Sequence, residues 1–153
     1  IGWGSEVLGN DDEITRYYGW GPKPKIFLTL KDHINIGEKL WKLLNLKLPK
    51  YFLGYPVFFK VDPDDGLPKP TAEDNGFPFV AITTLERLNS FYFGGLDFPL
   101  SDFEWLLIPE QKLLEITSGE VFYDGLNILK NFRKRISYFP DNVWYYKLVL
   151  FFY

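Results

Sequence analysis

The sequence predicts a mixed α/β (α+β) protein, with strands in its first half and helices in its second. Three observations carry that expectation. Short runs rich in β-branched and aromatic residues occur at KIFLTL (25–30), YPVFFKV (55–61) and FVAIT (79–83). Apolar residues recur at helical spacing after Asp32 and again beyond Ser101. Glycine and proline punctuate the stretches between. At 153 residues the chain supports one folded domain, or one domain and a fragment of a second. The expected division is an α/β core over residues 1–100 and a helical segment over 101–153 that begins a truncated helical domain. The chain starts with Ile1 and stops inside an apolar run, which suggests a piece of a longer protein.

Residues 1–25 are dense in glycine and end in Pro22 and Pro24, which reads as turns and one short helix. The two prolines make the Lys25–Leu30 strand start late or lie at an edge. Asp32 is the expected N-cap of a helix carrying Ile36, Leu40, Leu43 and Leu44 up to Pro49. Tyr55–Val61 is the second strand. Residues 62–78 hold four prolines and no periodicity, so a long loop is expected. Phe79–Thr83 is the third strand, followed by a helix from Thr84 to Phe93 that ends at Gly94-Gly95. Ser101-Asp102-Phe103-Glu104 fits a capping box, in which hydroxyl and carboxylate satisfy orphan amides at a helix start. Pro109-Glu110 restarts or kinks that helix and Gly119 closes it. Asp124-Gly125 opens another, with Leu126, Leu129, Phe132 and Ile136 on one face, and Pro140-Asp141 opens the last.

Composition removes much chemistry. The absence of Cys excludes disulfide scaffolds, thiolate nucleophiles and cysteine-bound metals. With His33 the lone histidine, a multi-histidine zinc site is excluded as well. The 20 Asp and Glu leave carboxylate and Mg²⁺ chemistry open. A net charge of −3 argues against general duplex nucleic-acid binding, which needs phosphate neutralisation. No stretch of the sequence resembles a signal peptide or a membrane-spanning run: Val143–Tyr153 is the most apolar stretch, and eleven residues with a lysine cannot span a bilayer. A cytoplasmic protein without a membrane partner is expected.

Two short glycine turns, Gly2-Trp3-Gly4-Ser5 and Gly19-Trp20-Gly21, fall short of a dinucleotide fingerprint or a Walker loop. Asp11-Asp12-Glu13 reads as a solvated turn or helix start, and otherwise as a cation site. Asp62, Asp64, Asp65, Gly66 and Glu73 resemble a calcium loop, but the glycine is one place early and three prolines oppose the winding. His33, beside Asp32 at a strand-to-helix junction, reads as a capping or surface residue. Lys130, Arg133, Lys134 and Arg135 read as a solvated helix face able to receive triphosphate or RNA beside an active site. The string Trp144, Tyr145, Tyr146, Phe151, Phe152, Tyr153 reads as a core face, or as a face for further helices of the same chain or a protein partner.

Two separated blocks carry a family resemblance. The segment DFEWLLIPEQKLLEITSGEVFYDGLNILKNFRKRISYFPDNVWYYKL from Asp102, and the start GWGSEVLGNDDEITR followed by WGP, resemble domain of unknown function 4037, a bacterial and archaeal family. The resemblance implies a nucleotidyltransferase-like fold of the polymerase-β type: a small mixed sheet with flanking helices and a helical domain after it. It further implies that Gly4 and Ser5 form the turn that holds nucleotide phosphates, and that an acid-x-acid pair about a dozen residues on binds Mg²⁺ with a third acid. At those places this chain has Tyr17-Tyr18-Gly19 and Val80-Ala81-Ile82. Neither Tyr nor Gly supplies a hard anionic oxygen, so the metal site is degenerate. Asp11, Asp12 and Glu13 are the substitute ligands if the protein is active. The reaction would then be Mg²⁺-dependent transfer of a nucleoside monophosphate to a hydroxyl. The expected function is thus nucleotidyltransferase-like and nucleotide-binding. The alternative is a non-catalytic interaction module docking through its aromatic helical face, and carbohydrate binding rests on the aromatic content alone.

Overall fold

The computed structural model describes residues 1–2, 4–10, 12, 14 and 20–152. The elements run α1 (Ser5–Leu8), β1 (Lys25–Phe27), α2 (Leu30–Lys47), β2 (Tyr51–Phe52), β3 (Tyr55–Pro56), β4 (Phe58–Val61), β5 (Pro68–Thr71), β6 (Phe77–Pro78), β7 (Ala81–Thr83), α3 (Leu85–Phe93), α4 (Asp102–Leu106), α5 (Glu110–Thr117), α6 (Ile128–Ile136) and α7 (Asp141–Phe152). The class is the mixed α/β one expected, with the strands distributed over three small sheets. The chain divides into two units, residues 11–88 and residues 1–10 with 89–153.

In the 11–88 unit, β1 pairs in parallel with β7 in the register Lys25↔Ala81, Ile26↔Ile82, Phe27↔Thr83. A parallel pair needs a crossover, and α2 lies within it, packed on β7 and β6. β1 begins directly after Pro24, whose carbonyl accepts from the Ala81 amide at 3.1 Å. The helix that follows is capped by Thr29, and this corrects the expectation of Asp32. The Thr29 hydroxyl accepts from the Asp32 amide at 3.1 Å and donates to the Asp32 carboxylate at 2.8 Å. Both residue types cap helices, and the one three places earlier wins because Leu30 and Lys31 already have helical backbone.

The expected strand 55–61 is broken at Val57, where the chain leaves the β2–β3 hairpin for a second sheet of order β5-β4-β6. The hairpin turn is Leu53-Gly54, with φ of 49° and 85°, the doubly positive turn that two-residue hairpins favour. Residues 62–78 are not a loop. They pair on both sides of β4, with Val61↔Pro68 and Phe59↔Pro70 on one flank and Phe59↔Phe77 on the other. Pro68 and Pro70 are tolerated because they sit two apart on an edge strand, where both missing amides face away from β4. Phe59, fully buried, anchors this sheet and meets the Phe79 ring at 5.2 Å between centroids. Gly21, at φ 136°, lies against that ring so closely that a Cβ would come within 2.8 Å of Phe59 Cζ. No side chain fits there.

In the other unit, aromatic and aliphatic side chains make the core: Phe93, Trp105, Leu113, Ile116, Ile136, Phe139 and Val143 are buried. Phe93, Phe98 and Phe132 meet edge to face, as do Trp105, Phe139 and Trp144. The capping box at Ser101 is present, with the Ser101 amide donating to the Glu104 carboxylate at 2.7 Å. Asn142 donates to Asp102 and ties α7 to α4. Asp124 opens α6, as expected, by accepting from the amides of Ile128 and Lys130 at 3.0 and 2.8 Å. Leu126 precedes that helix and is exposed, whereas Leu129 and Ile136 are buried.

Candidate functional site

The glycine-rich start of the chain lies on the C-terminal end of α5. α5 leaves its last carbonyls without intrahelical partners, and donors take up positions there and on the two residues that follow the helix. The Gly2 amide donates to the Glu115 carbonyl at 2.9 Å. Arg133 of α6 donates through Nη2 to the Ser118 carbonyl at 2.6 Å and through Nη1 to the Gly119 carbonyl at 2.7 Å. Gly119 turns the chain at φ 78°, and a Cβ on it would stand 3.1 Å from both the Ile1 nitrogen and Val7 Cγ1. The Glu115 side chain is held in turn by Gln111 at 3.2 Å and by the Tyr92 hydroxyl. Gly4 and Ser5 then form the entry to α1, with the Val7 amide donating to the Gly4 carbonyl at 3.0 Å.

Burial governs the ionisation of this platform. Tyr92 is pushed above its ordinary value, first by desolvation and then by the neighbouring Glu115 carboxylate. Arg133 is lowered by desolvation, and no ion pair to it occurs among the described residues. Its Nε is buried without a partner. The run of basic residues predicts a solvated face that includes Arg133. Lys130, Lys134 and Arg135 are exposed as expected, but Arg133 turns inward. Positions 129, 132, 133 and 136 follow the i, i+3, i+4, i+7 spacing of a buried stripe, which is the signal that would have found it.

Asp12 belongs to the 11–88 unit and is exposed, with its carboxylate accepting from the Ile14 amide at 2.9 Å. Asp11, Glu13, Tyr17 and Gly19 lie outside the described residues. Among the described residues, no group of three or more Asp, Glu or His is placed to hold a metal ion. The described side chains alone therefore do not make a Mg²⁺ site. His33 sits in the first turn of α2, half-buried, with Nε2 3.3 Å from the Ile82 carbonyl of β7. Its contacts are those of a residue that ties a helix to a strand.

The calcium-like segment is the β4–β5 turn. Asp62 and Asp65 accept from the amides of Asp64 and Leu67, and Lys69 reaches both carboxylates, at 2.5 and 2.9 Å. The Lys69 hydrogen bonds lead in holding both carboxyls below their ordinary 3.8. The sign follows: the unfolded chain binds these protons first, so the turn's contribution is present above about pH 4 and fades as pH falls through the lower folded values. An NMR titration of the Asp62 and Asp65 carboxyl carbons is expected to give midpoints below 3.8, and Lys69→Met to bring both back up. Unchanged midpoints in Lys69→Met would contradict the assignment.

The aromatic string lies on α7, which is apolar all round. Val143 is buried, while Tyr145 is 71% exposed, Phe151 83% and Phe152 79%. Tyr153 lies outside the described residues. Lys147 is the polar exception: its ammonium donates to Glu110 at 2.7 Å and stands 4.6 Å over the Phe139 ring. No helix among the described residues is long and apolar enough to cross a membrane.

Neither the curated proteins nor the solved structures contain a match to this chain. The family model for Domain of unknown function (DUF4037) matches residues 105–150, from Trp105 in α4 into α7, within the second of the two blocks that resemble that family.

Proposed function

We propose that this chain is a nucleotidyltransferase-like protein with a degenerate metal site, which binds a nucleotide through the Gly4-Ser5 turn. One observation supports the reading above others. Residues 2–10 of the first block and the segment from Asp102 are far apart in sequence yet belong to one unit, joined by the Gly2–Glu115 hydrogen bond and the Val7–Gly119 approach, while the rest of the first block belongs to the 11–88 unit. A turn whose backbone amides are to meet phosphate oxygens needs a rigid support, and the end of α5 supplies one. The missing acid-x-acid pair removes the usual route to transfer, so binding is the retained property. Calorimetric titration with ATP, GTP, CTP and UTP, each with Mg²⁺, tests this. Heat with at least one nucleotide, lost in Ser5→Ala combined with Gly4→Val, is the expected outcome. No heat with any of the four would contradict it.

A second reading is favoured by α7. A helix apolar on every side is ordinarily enclosed, and this one presents Tyr145, Leu150, Phe151 and Phe152 to solvent. On that reading the chain is an interaction module whose α7 docks on further helices or on a protein partner. Self-association and binding of a hydrophobic dye are expected of it. A clean monomer by light scattering that binds no dye would count against it.

A further inference from the structure

Arg133 is a costly residue for its place. A half-buried guanidinium without a carboxylate forfeits hydration that two carbonyls only partly replace, and its Nε is buried without a partner. Ending α5 does not require it, because the chain already leaves the helix in extended backbone at Ser118, whose amide closes the last turn on the Leu114 carbonyl. What the fork adds is rigidity. Two parallel hydrogen bonds from one planar group fix the Ser118 and Gly119 carbonyls together, in a way a single ammonium cannot. The opposite side of Gly119 is the surface on which the start of the chain rests, with the Ile1 nitrogen and Val7 Cγ1 each 3.1 Å from where a Cβ would be. A shift of a few tenths of an ångström at Gly119 would therefore be felt by the segment that carries Gly4 and Ser5.

We propose that Arg133 is the positioning residue for the Gly4-Ser5 turn, acting through the Ser118-Gly119 carbonyls rather than by contact with a ligand. The proposal rests on the reading of that turn as the nucleotide-phosphate site, but its structural part can be measured without a nucleotide. Arg133→Lys keeps the positive charge and removes the fork. Gly119→Ala leaves Arg133 intact and places a methyl against Ile1 and Val7. In either variant the Gly2 and Val7 amides should exchange with solvent faster by about tenfold or more, the scale of one lost charge-assisted hydrogen bond. The Trp144 amide at the start of α7 should keep its protection. A merely structural role for Arg133 would instead loosen Trp144 along with the other two. Nucleotide affinity, read by calorimetry, should weaken in parallel.

Unchanged Gly2 and Val7 exchange in Arg133→Lys, or loosening spread evenly to Trp144, would overturn the proposal. Loosened amides with nucleotide affinity equal to the parent's would also overturn it. If Arg133→Lys fails to fold, the same exchange comparison in Arg133→Gln, which keeps an N–H donor but not the fork, decides. A parent protein that binds no nucleotide would remove the functional reading, while the exchange result still decides whether Arg133 holds the turn.

Discussion

Phe59→Ala is expected to destabilise the 11–88 unit by about 3–5 kcal/mol, the cost of emptying a filled aromatic site. The side chain is fully buried and is met from several directions. Phe79 packs on its ring, Gly21 lies against its edge, and its own strand pairs with β5 on one side and β6 on the other. The cavity cannot collapse easily, because Gly21 has no side chain to move in and the β4 backbone is held by both neighbours. Hydrogen exchange resolved by residue is the measurement to use, since a chain of two units need not melt in one step. Loss of protection in β4–β6 amides is expected, and a variant with parent-like protection there would contradict the packing described.

The second large effect lies in the other unit. Ile116 is fully buried in the last turn of α5, one residue beyond the carbonyl that receives the Gly2 amide. Ile116→Ala is expected to cost about 2–5 kcal/mol, and the loss should reach function as well as stability. Loosening that turn frees the platform on which Gly4 and Ser5 rest, so nucleotide affinity should fall before the whole unit unfolds. Residue-resolved hydrogen exchange at α5 amides, together with calorimetry at low denaturant, separates the two effects. A change under 1 kcal/mol, on the scale of ordinary surface substitutions, would contradict the burial.

Much of the fold was legible because local signals and tertiary context agreed. The KIF strand, the Ser101 capping box, the Gly94-Gly95 stop and the Asp124 start each state a backbone requirement in residue type alone. The failures have physical causes. Thr29 and Asp32 are both good caps three residues apart, and their reciprocal bond makes each look like the first residue from its side. Residues 62–78 read as a loop because proline lacks an amide, a penalty that vanishes when two prolines fall on the unpaired side of an edge strand. The aromatic fifth of the composition divides between a packed core at Phe93, Phe132 and Phe139 and an exposed α7, a split that residue type alone cannot make.

The candidate site was less legible than the fold. Gly4 and Ser5 stood out by resemblance, but their support comes from Glu115, Gly119 and Arg133, more than a hundred residues away. Arg133 was hidden among three exposed cations on the same helix. Only its coincidence with the Leu129–Ile136 stripe separates it from them.

The proposed function is a nucleotide-binding turn that persists where the expected metal-binding acids are replaced. It is tested most directly by titrating each nucleotide with and without Mg²⁺ into the parent chain and into Tyr17→Asp combined with Gly19→Asp. The parent is expected to bind with an affinity that Mg²⁺ changes little, and the double variant to gain a marked Mg²⁺ dependence as two carboxylates return to the acid-x-acid positions. Absence of binding in the parent, or a parent whose binding already depends steeply on Mg²⁺, would contradict the account.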